Sequence, residues 1–475
     1  MALNSEQTRT RAEALRKRHP LYVRRLRDWD FYLSSYEGGA AYLGPSNIFR
    51  YVKEPESAYI ERLRRAAYYN YCAPIVDLYN AHLFRQGAVR ITDDGALVEF
   101  FEDVDGFGTP MDAFMKEAEC LAQVFGKMHV VVDQPATRRE PQSAAEAQRL
   151  NLRPYLVKLD PRDLVNWQMD EAGALVWARI RERSGRGEDP FEESAQGHYY
   201  RTWTRTGWFL HTAEGELKGR GEHGAGRVPI ATLYDRSSKT RPFMGISTLE
   251  DIAYINRQIN NWASSLDEFI LKQCFSHLFY PEGMFESSGR DELVEFGMNN
   301  ATAFPRDAAQ VPFYLAPEAA PGEFIRSQIA WAVGEIYRLA KLENAAGRQV
   351  QQVSSGIARA FDFQETNRTL ADKAARCERC EREIVELVEA WRGKKGTRFT
   401  VNYGRDFNVQ GPQEELEEIL TTIRIPGVSP TLVREQIKRA AKKLLPGAGA
   451  ETIVKIEREI ESEKAWISKG AENGQ

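Results

Sequence analysis

Two long amphipathic helical patterns bracket a short insert, and a third follows after a polar loop. This order constrains the fold more than any motif in the chain. The run TLEDIAYINRQINNWASSLDEFILKQCF, from Thr248, places Ile252, Ile255, Ile259, Trp262, Leu266 and Phe269 three or four residues apart, and Gln273 ends the apolar face. About 28 residues at 1.5 Å each predict a rod of about 42 Å. Ser247 with Glu250 three residues later reads as a capping box that starts it. The insert, SHLFYPEG to VPFYLAP, is strand-rich, with a short helical piece at RDELVEF. A returning helix follows from Glu323 to Leu342, striped by Ile325, Ile329, Val333, Ile336 and Ala340. The polar, sparsely charged loop QVQQVSSGIARAF then opens into a third helix from about Arg359 to Trp391.

Before this hairpin the texture is different. YIERLRRAAYYNYCAPIVDLYNAHLF has helical spacing, with a bend expected at Pro74. Between Lys127 and Tyr234, the runs MHVVVD, RPYLVKL, LVNWQM, ALVWARI, HYYRTWT, GWFLHT and VPIATLY are β-branched or aromatic and separated by turn formers. They predict an antiparallel-rich α+β region. Near the C-terminus, SPTLVREQIKRAAKKL has Ser429 as N-cap and Pro430 at the first helical position.

With 475 residues, 42% of them hydrophobic, the chain is long enough for several domains. Nothing in it reads as a membrane span, and MALNSEQTRTRAEALRKRHP is charged where a signal peptide would be apolar, so synthesis in the cytosol is expected. The five cysteines (Cys72, Cys120, Cys274, Cys377, Cys380) are too scattered for a disulfide framework and are expected as free thiols. A net charge of -4 lacks the basic footprint of a protein that grips DNA statically, but suits one past which DNA slides.

The chemical motifs favour plain readings. Cys377 and Cys380 form a CxxC, yet they share a helical stripe with Leu370, Ala374, Ile384, Val388 and Trp391, so they are expected to pack in a core rather than hold zinc. Gly219, Gly221 and Gly224 spell GxGxxG, but a strand follows where a dinucleotide site needs a helix, so a flexible turn is expected. SSKT at Ser237 to Thr240 lacks the glycines of a phosphate-binding loop. No HExxH or GxSxG occurs, and no catalytic residue, cofactor or metal site is expected. Arg434, Lys438 and Lys442 line up on one helix face, either a solvated, salt-bridged surface or a contact for phosphates.

An α+β body, a long helix, a small insert, a returning helix, a polar loop, a long helix and a helical tail together resemble the portal proteins of tailed bacteriophages. Local stretches carry the same likeness. YIERLRRAAYYNYCAPIVDLYNAHLFRQ is similar to the family's wing helices, and GISTLEDIAYINRQINNWASS to the entry of its first stem helix. SSGIARAFDFQETNRTLADKAARCERCEREIVE resembles the passage from tunnel loop to long wing helix, and GVSPTLVREQI with IEREIESEK resembles its tail. The resemblance implies a wing at 1–247, stem helices at 248–275 and 321–343, and a small α/β clip at 276–320. It further implies a tunnel loop at 344–360, a long wing helix and strand at 361–411, and a helical crown and tail at 412–475.

The same resemblance implies a non-enzymatic virion protein: a ring of about twelve subunits at one capsid vertex, assembled in the host cytoplasm, through which double-stranded DNA is packaged and ejected. Its implied partners are the large terminase, the major capsid and scaffold proteins, and a head-completion or tail adaptor. No membrane is involved. Twelve upright helices spaced about 10 Å apart would enclose a bore of roughly 28 Å, enough for a duplex about 20 Å wide. Gln349, Val350, Gln351, Gln352, Val353, Ser354 and Ser355 would then touch DNA without trapping phosphates, and Arg434, Lys438 and Lys442 are candidate phosphate contacts. Two rival readings are a cytosolic multidomain enzyme with a site assembled from distant residues, and another ring-forming head component such as an adaptor or scaffold partner.

Overall fold

The computed structural model describes residues 5–135, 152–183, 197–274, 277–281, 301–305, 311–315, 318–342, 356–394, 396–405, 407, 417, 419–421, 429–445 and 450–462. The chain divides into two compact units, 1–406 and 407–475.

The first unit opens with helices α1 (Ser5–Arg16), α2 (Pro20–Glu37), α3 (Glu56–Arg65) and α4 (Cys72–Leu83). Pro74 does not bend a continuous helix. The chain leaves helical geometry at Ala66 and restarts at Cys72, which puts Pro74 in a first turn, where its missing N–H costs nothing. Asn70 makes the restart possible, accepting from the Cys72 and Ala73 amides at 3.0 and 2.9 Å. Strand β1 (Ala88–Thr92) follows, then α5 (Gly95–Glu102) and α6 (Met111–Phe125).

Strand β2 (Lys127–Asp133) is the centre of an antiparallel sheet, flanked by β3 (Tyr155–Leu159) and β9 (Ile230–Tyr234). It is buried from Lys127 to Val132, and α6 packs against it. Between β3 and β9 runs an antiparallel meander: β4 (Leu164–Met169), β5 (Leu175–Arg183), β6 (His198–Thr204), β7 (Gly207–Thr212) and β8 (Leu217–Glu222). The β-branched and aromatic runs of the sequence therefore fall on strands as expected.

Strand β8 holds a correction. Gly219 and Gly221 of the GxGxxG pattern are strand residues, not part of a flexible turn, and they lie under the Trp208 indole of β7. A Cβ on Gly221 would stand 2.7 Å from Trp208 Nε1, and one on Gly219 3.3 Å from the ring. The glycines make room for a cross-strand tryptophan.

The short pair β10 (Arg236–Ser237) and β11 (Gly245–Ile246) leads into α7 (Ile252–Cys274). Here Gly245 crosses Gly126, the left-handed C-cap of α6, so closely that a Cβ on Gly126 would stand 2.8 Å from the Gly245 carbonyl carbon. The expected capping box does not form at this entry. Ser247 donates to the Gln123 and Val124 carbonyls and accepts from the Leu249 amide at 2.9 Å, while the Glu250 carboxylate turns to Arg25, 3.0 Å away. Tertiary partners outbid the local cap, and α7 begins at Ile252, after a turn.

Strand β12 (His277–Pro281) pairs in parallel with β13 (Ala301–Phe304) and antiparallel with β14 (Phe313–Leu315). RDELVEF falls outside the described residues. Next come α8 (Ala320–Leu339), α9 (Gly356–Trp391) and β15 (Phe399–Tyr403), which closes a two-stranded sheet with β1. The predicted stripe of α9 is core: Leu370, Ala374, Cys377, Ile384 and Val388 are each at most 1% exposed. Cys380 is buried beside them, and both α9 cysteines are free thiols, as are Cys72 and Cys120. Arg90 of β1 pairs with the buried Glu381, which also accepts from the Tyr403 hydroxyl at 2.8 Å, so α9 ties both strands of the small sheet. The second unit contains α10 (Pro430–Leu444) and α11 (Ala450–Ser462), which pack on each other.

Candidate functional site: the helical stem and its root

Helices α7 and α8 form the hairpin that the periodicity predicted, about 34 and 30 Å long at 1.5 Å per residue. The two helices pack on each other. On α8, Ile336 and Ala340 are buried, while Ile325, Ile329 and Val333 are only half-buried. Gly322 lets the helices meet closely, since a Cβ there would stand 2.7 Å from the Phe269 ring.

The two ends of the hairpin have different surroundings. The root of α7 carries a polar face that clasps loops from the N-terminal helices. Asn256 donates to the Tyr69 carbonyl and accepts from the Tyr71 amide, each at 2.9 Å. Asn261 donates to the Asn47 carbonyl at 2.7 Å and accepts from the Phe49 amide at 2.8 Å. Arg62, 1% exposed, forks onto Glu54 at 2.8 Å, donates to Ser264 at 3.1 Å and stacks on Tyr51, 4.3 Å from its centroid. That fork holds the Glu54 carboxyl below its usual range. Farther out, α8 presents Phe324 (65% exposed) and Trp331 (62%), seven residues apart and therefore on one helix face. Ile270 of α7 is 49% exposed.

Behind the root lies a buried charge cluster that the sequence reading missed. Lys373 of α9 bonds Asp235 and Glu119, the latter at 3.3 Å, and all three are at most 3% exposed. Burial pulls the Lys373 ammonium down, but Asp235 and Glu119 outweigh it, so its pKa is raised and it stays charged. Asp235 also accepts from the Thr248 hydroxyl at 2.7 Å, and its carbonyl from Arg376. Lys373 lies between Leu370 and Cys377 on the apolar stripe of α9. A lysine in that position was the available signal.

A second buried cation, Lys127, has no carboxylate within ion-pair distance among the described residues. It donates to the Phe243 carbonyl at 2.9 Å and sits 4.4 Å from the Phe243 ring centroid and 5.1 Å from that of Trp167. Phe243 holds a left-handed backbone, φ 61°. Burial pushes the Lys127 pKa down to about 7.

The expected loop residues Gln349, Val350, Gln351, Gln352, Val353, Ser354 and Ser355 lie outside the described residues, which stop at Leu342 and resume at Gly356. Arg434, Lys438 and Lys442 all lie on α10. Arg434 is half-buried, and Lys438 bonds Glu435 at 3.1 Å and Glu461 of α11 at 2.9 Å, a tie between the two helices of the second unit. No group of three or more metal-ligating side chains is found among the described residues, and no described helix is long and apolar enough to cross a membrane.

No protein-family model matches the chain, and no curated protein matches it. Among solved structures, the chain is similar to the neck of an empty GTA particle computed with C6 symmetry, at 12% identity over 83% of this chain and 96% of that one, with a TM-score of 0.43. It is also similar to the neck of a native GTA particle computed with C12 symmetry, at 12% identity over 88% and 99% of the two chains, with a TM-score of 0.39. No residue role follows from either.

Proposed function

We propose that the chain is the subunit of a ring-shaped portal, a structural channel rather than an enzyme, through which double-stranded DNA enters and leaves a phage-type capsid. The observation that carries the reading is the α7–α8 hairpin. Its root is locked to the body by polar clasps, while its outer face exposes Phe324 and Trp331, which a neighbouring copy would cover. The order of parts around the hairpin, and the resemblance of the sequence to portal proteins, support the same reading.

In such a ring, residues 349–355 connect a stem helix to the long α9 and would narrow the bore. Gln, Val and Ser side chains offer contacts to a duplex but no fixed charge, so the duplex slides. The terminase motor, the capsid and scaffold proteins, and a head-completion or tail adaptor are the proposed partners, and the virion is the proposed location.

Packaging measured with loop variants tests this. Deleting 349–355 is expected to leave ring yield nearly unchanged and to abolish DNA packaging or retention. Gln351→Lys with Gln352→Lys would add roughly 24 positive charges around a twelve-subunit bore, gripping DNA and slowing translocation at low salt. Normal packaging by both variants would show that the loop does not face DNA.

A further inference from the structure

At the root of the stem, Arg236, Lys341, Thr369, Asp372, Lys373 and Arg376 line a cleft of about 130 Å³ beside the end of α8. Lys373 is outnumbered by its two carboxylate partners, Asp235 and Glu119. The other three cations bond neutral acceptors: Arg236 the Ser247 carbonyl at 3.0 Å, Lys341 the Thr369 hydroxyl at 3.3 Å, and Arg376 the Asp235 carbonyl. None of the three forms an ion pair among the described residues, and Asp372 is the remaining carboxylate of the lining. With every group charged, the four cations exceed Asp235, Glu119 and Asp372 by one, and Arg236 and Lys341 are exposed to solvent.

The last carbonyls of α8 are occupied, those of Ile336, Tyr337 and Arg338 accepting from the Ala340, Leu342 and Lys341 amides, and the two carbonyls just beyond the helix are occupied as well. Tyr79 donates to the Ala340 carbonyl, and Thr366 to that of Lys341 at 2.9 Å. Lys341 itself holds a left-handed backbone, φ 56°, a conformation that residues with a side chain rarely adopt. Two guanidinium groups and an ammonium around one small cleft match the donors that recognise a tetrahedral oxyanion.

We propose that this cleft binds a phosphate group, either as the free ion or carried on a nucleic-acid backbone. A single chain forms the cleft, so the proposal stands whether or not the ring does.

Full-length protein and the double variant Arg236→Gln, Lys341→Gln are titrated at constant ionic strength, with inorganic phosphate by calorimetry and with a short labelled duplex by anisotropy. Both side chains are exposed, so the variant is expected to fold, with a circular dichroism melt as the check. Lys341→Arg, which keeps the charge, supplies a second variant that should bind like wild type. Loss of two charge-assisted contacts is expected to weaken phosphate binding by about tenfold. If the duplex also weakens, and its salt slope falls by about two contacts, the source is the nucleic-acid backbone. If only inorganic phosphate weakens, the source is the free ion. A change in duplex binding alone assigns the cleft to the backbone. Wild type and double variant binding both probes equally, or wild type binding neither, overturns the proposal.

Discussion

The root and the far end of the α7–α8 hairpin are made from the same two helices, yet they differ in what surrounds them. At the root, Asn256, Asn261 and Ser264 of α7 are each matched by a backbone group or by Arg62, and Ile252 and Ile259 are fully buried. Farther from the root, Ile270, Phe324 and Trp331 are exposed among the described residues. The two ends differ in polar ties rather than in exposure alone, for Phe49 and Tyr69 at the root are 49% and 53% exposed, and the buried Asn260 amide lacks a partner among the described residues. In the proposed ring, the root ties would hold one chain together and the exposed face of α8 would hold neighbouring chains to each other.

The largest expected effect comes from breaking the exposed face of α8. Phe324→Glu with Trp331→Glu is expected to lower the assembled fraction by about tenfold or more at micromolar protein, since charges would be buried where an apolar contact is required. The monomer's melting temperature should change little, because both side chains are exposed. Native mass spectrometry reads the first quantity and calorimetry the second. A melting point that falls while assembly persists would reverse the assignment of the two ends.

At the root, the effect should be on folding. Arg62→Ala strands Glu54 beside a buried cavity and is expected to cost about 3–4 kcal/mol of unfolding free energy, measured by urea titration. Assembly of the variant that remains folded should be unaffected. A cost below about 1 kcal/mol would show that the clasp contributes no more than a surface pair.

Lys127 sharpens the comparison inside the body. Its folded pKa of about 7 lies below the ordinary 10.5, so between those values the unfolded chain binds more protons and stability rises with pH. Below pH 7 both states hold the proton, and the cost of burying the charge is present in full. Lys127→Met is therefore expected to stabilise the protein by about 2–4 kcal/mol at pH 6, with the gain shrinking toward pH 10. Cation–π contact with Phe243 and Trp167 offsets part of the burial cost, which keeps the figure modest. A pH-independent gain would assign the effect to packing instead of charge.

Much of this architecture was legible from periodicity. The meander strands, the hairpin and the α9 stripe all repeat locally, so short windows of sequence reveal them. What escaped depends on partners far along the chain. Ser247 and Glu250 look like a cap until the Gln123 and Val124 carbonyls and Arg25 claim them. Gly219 and Gly221 read as a turn until Trp208 is seen to cover them. Strand β1 meets β15 across some 300 residues, and Arg62 meets Ser264 across 202, distances over which no pattern within a window carries information. Of the proposed site, the hairpin was legible, whereas the clasps and the phosphate cleft needed the fold.

The most direct test of the central claim is the mass and image of the purified wild-type assembly. Closed rings of about twelve copies are expected, close to 650 kDa from a chain of 54.1 kDa, with an axial channel wide enough for a duplex of about 20 Å. A protein that stays monomeric or dimeric at micromolar concentration, with Phe324 and Trp331 still exposed to solvent, would contradict it.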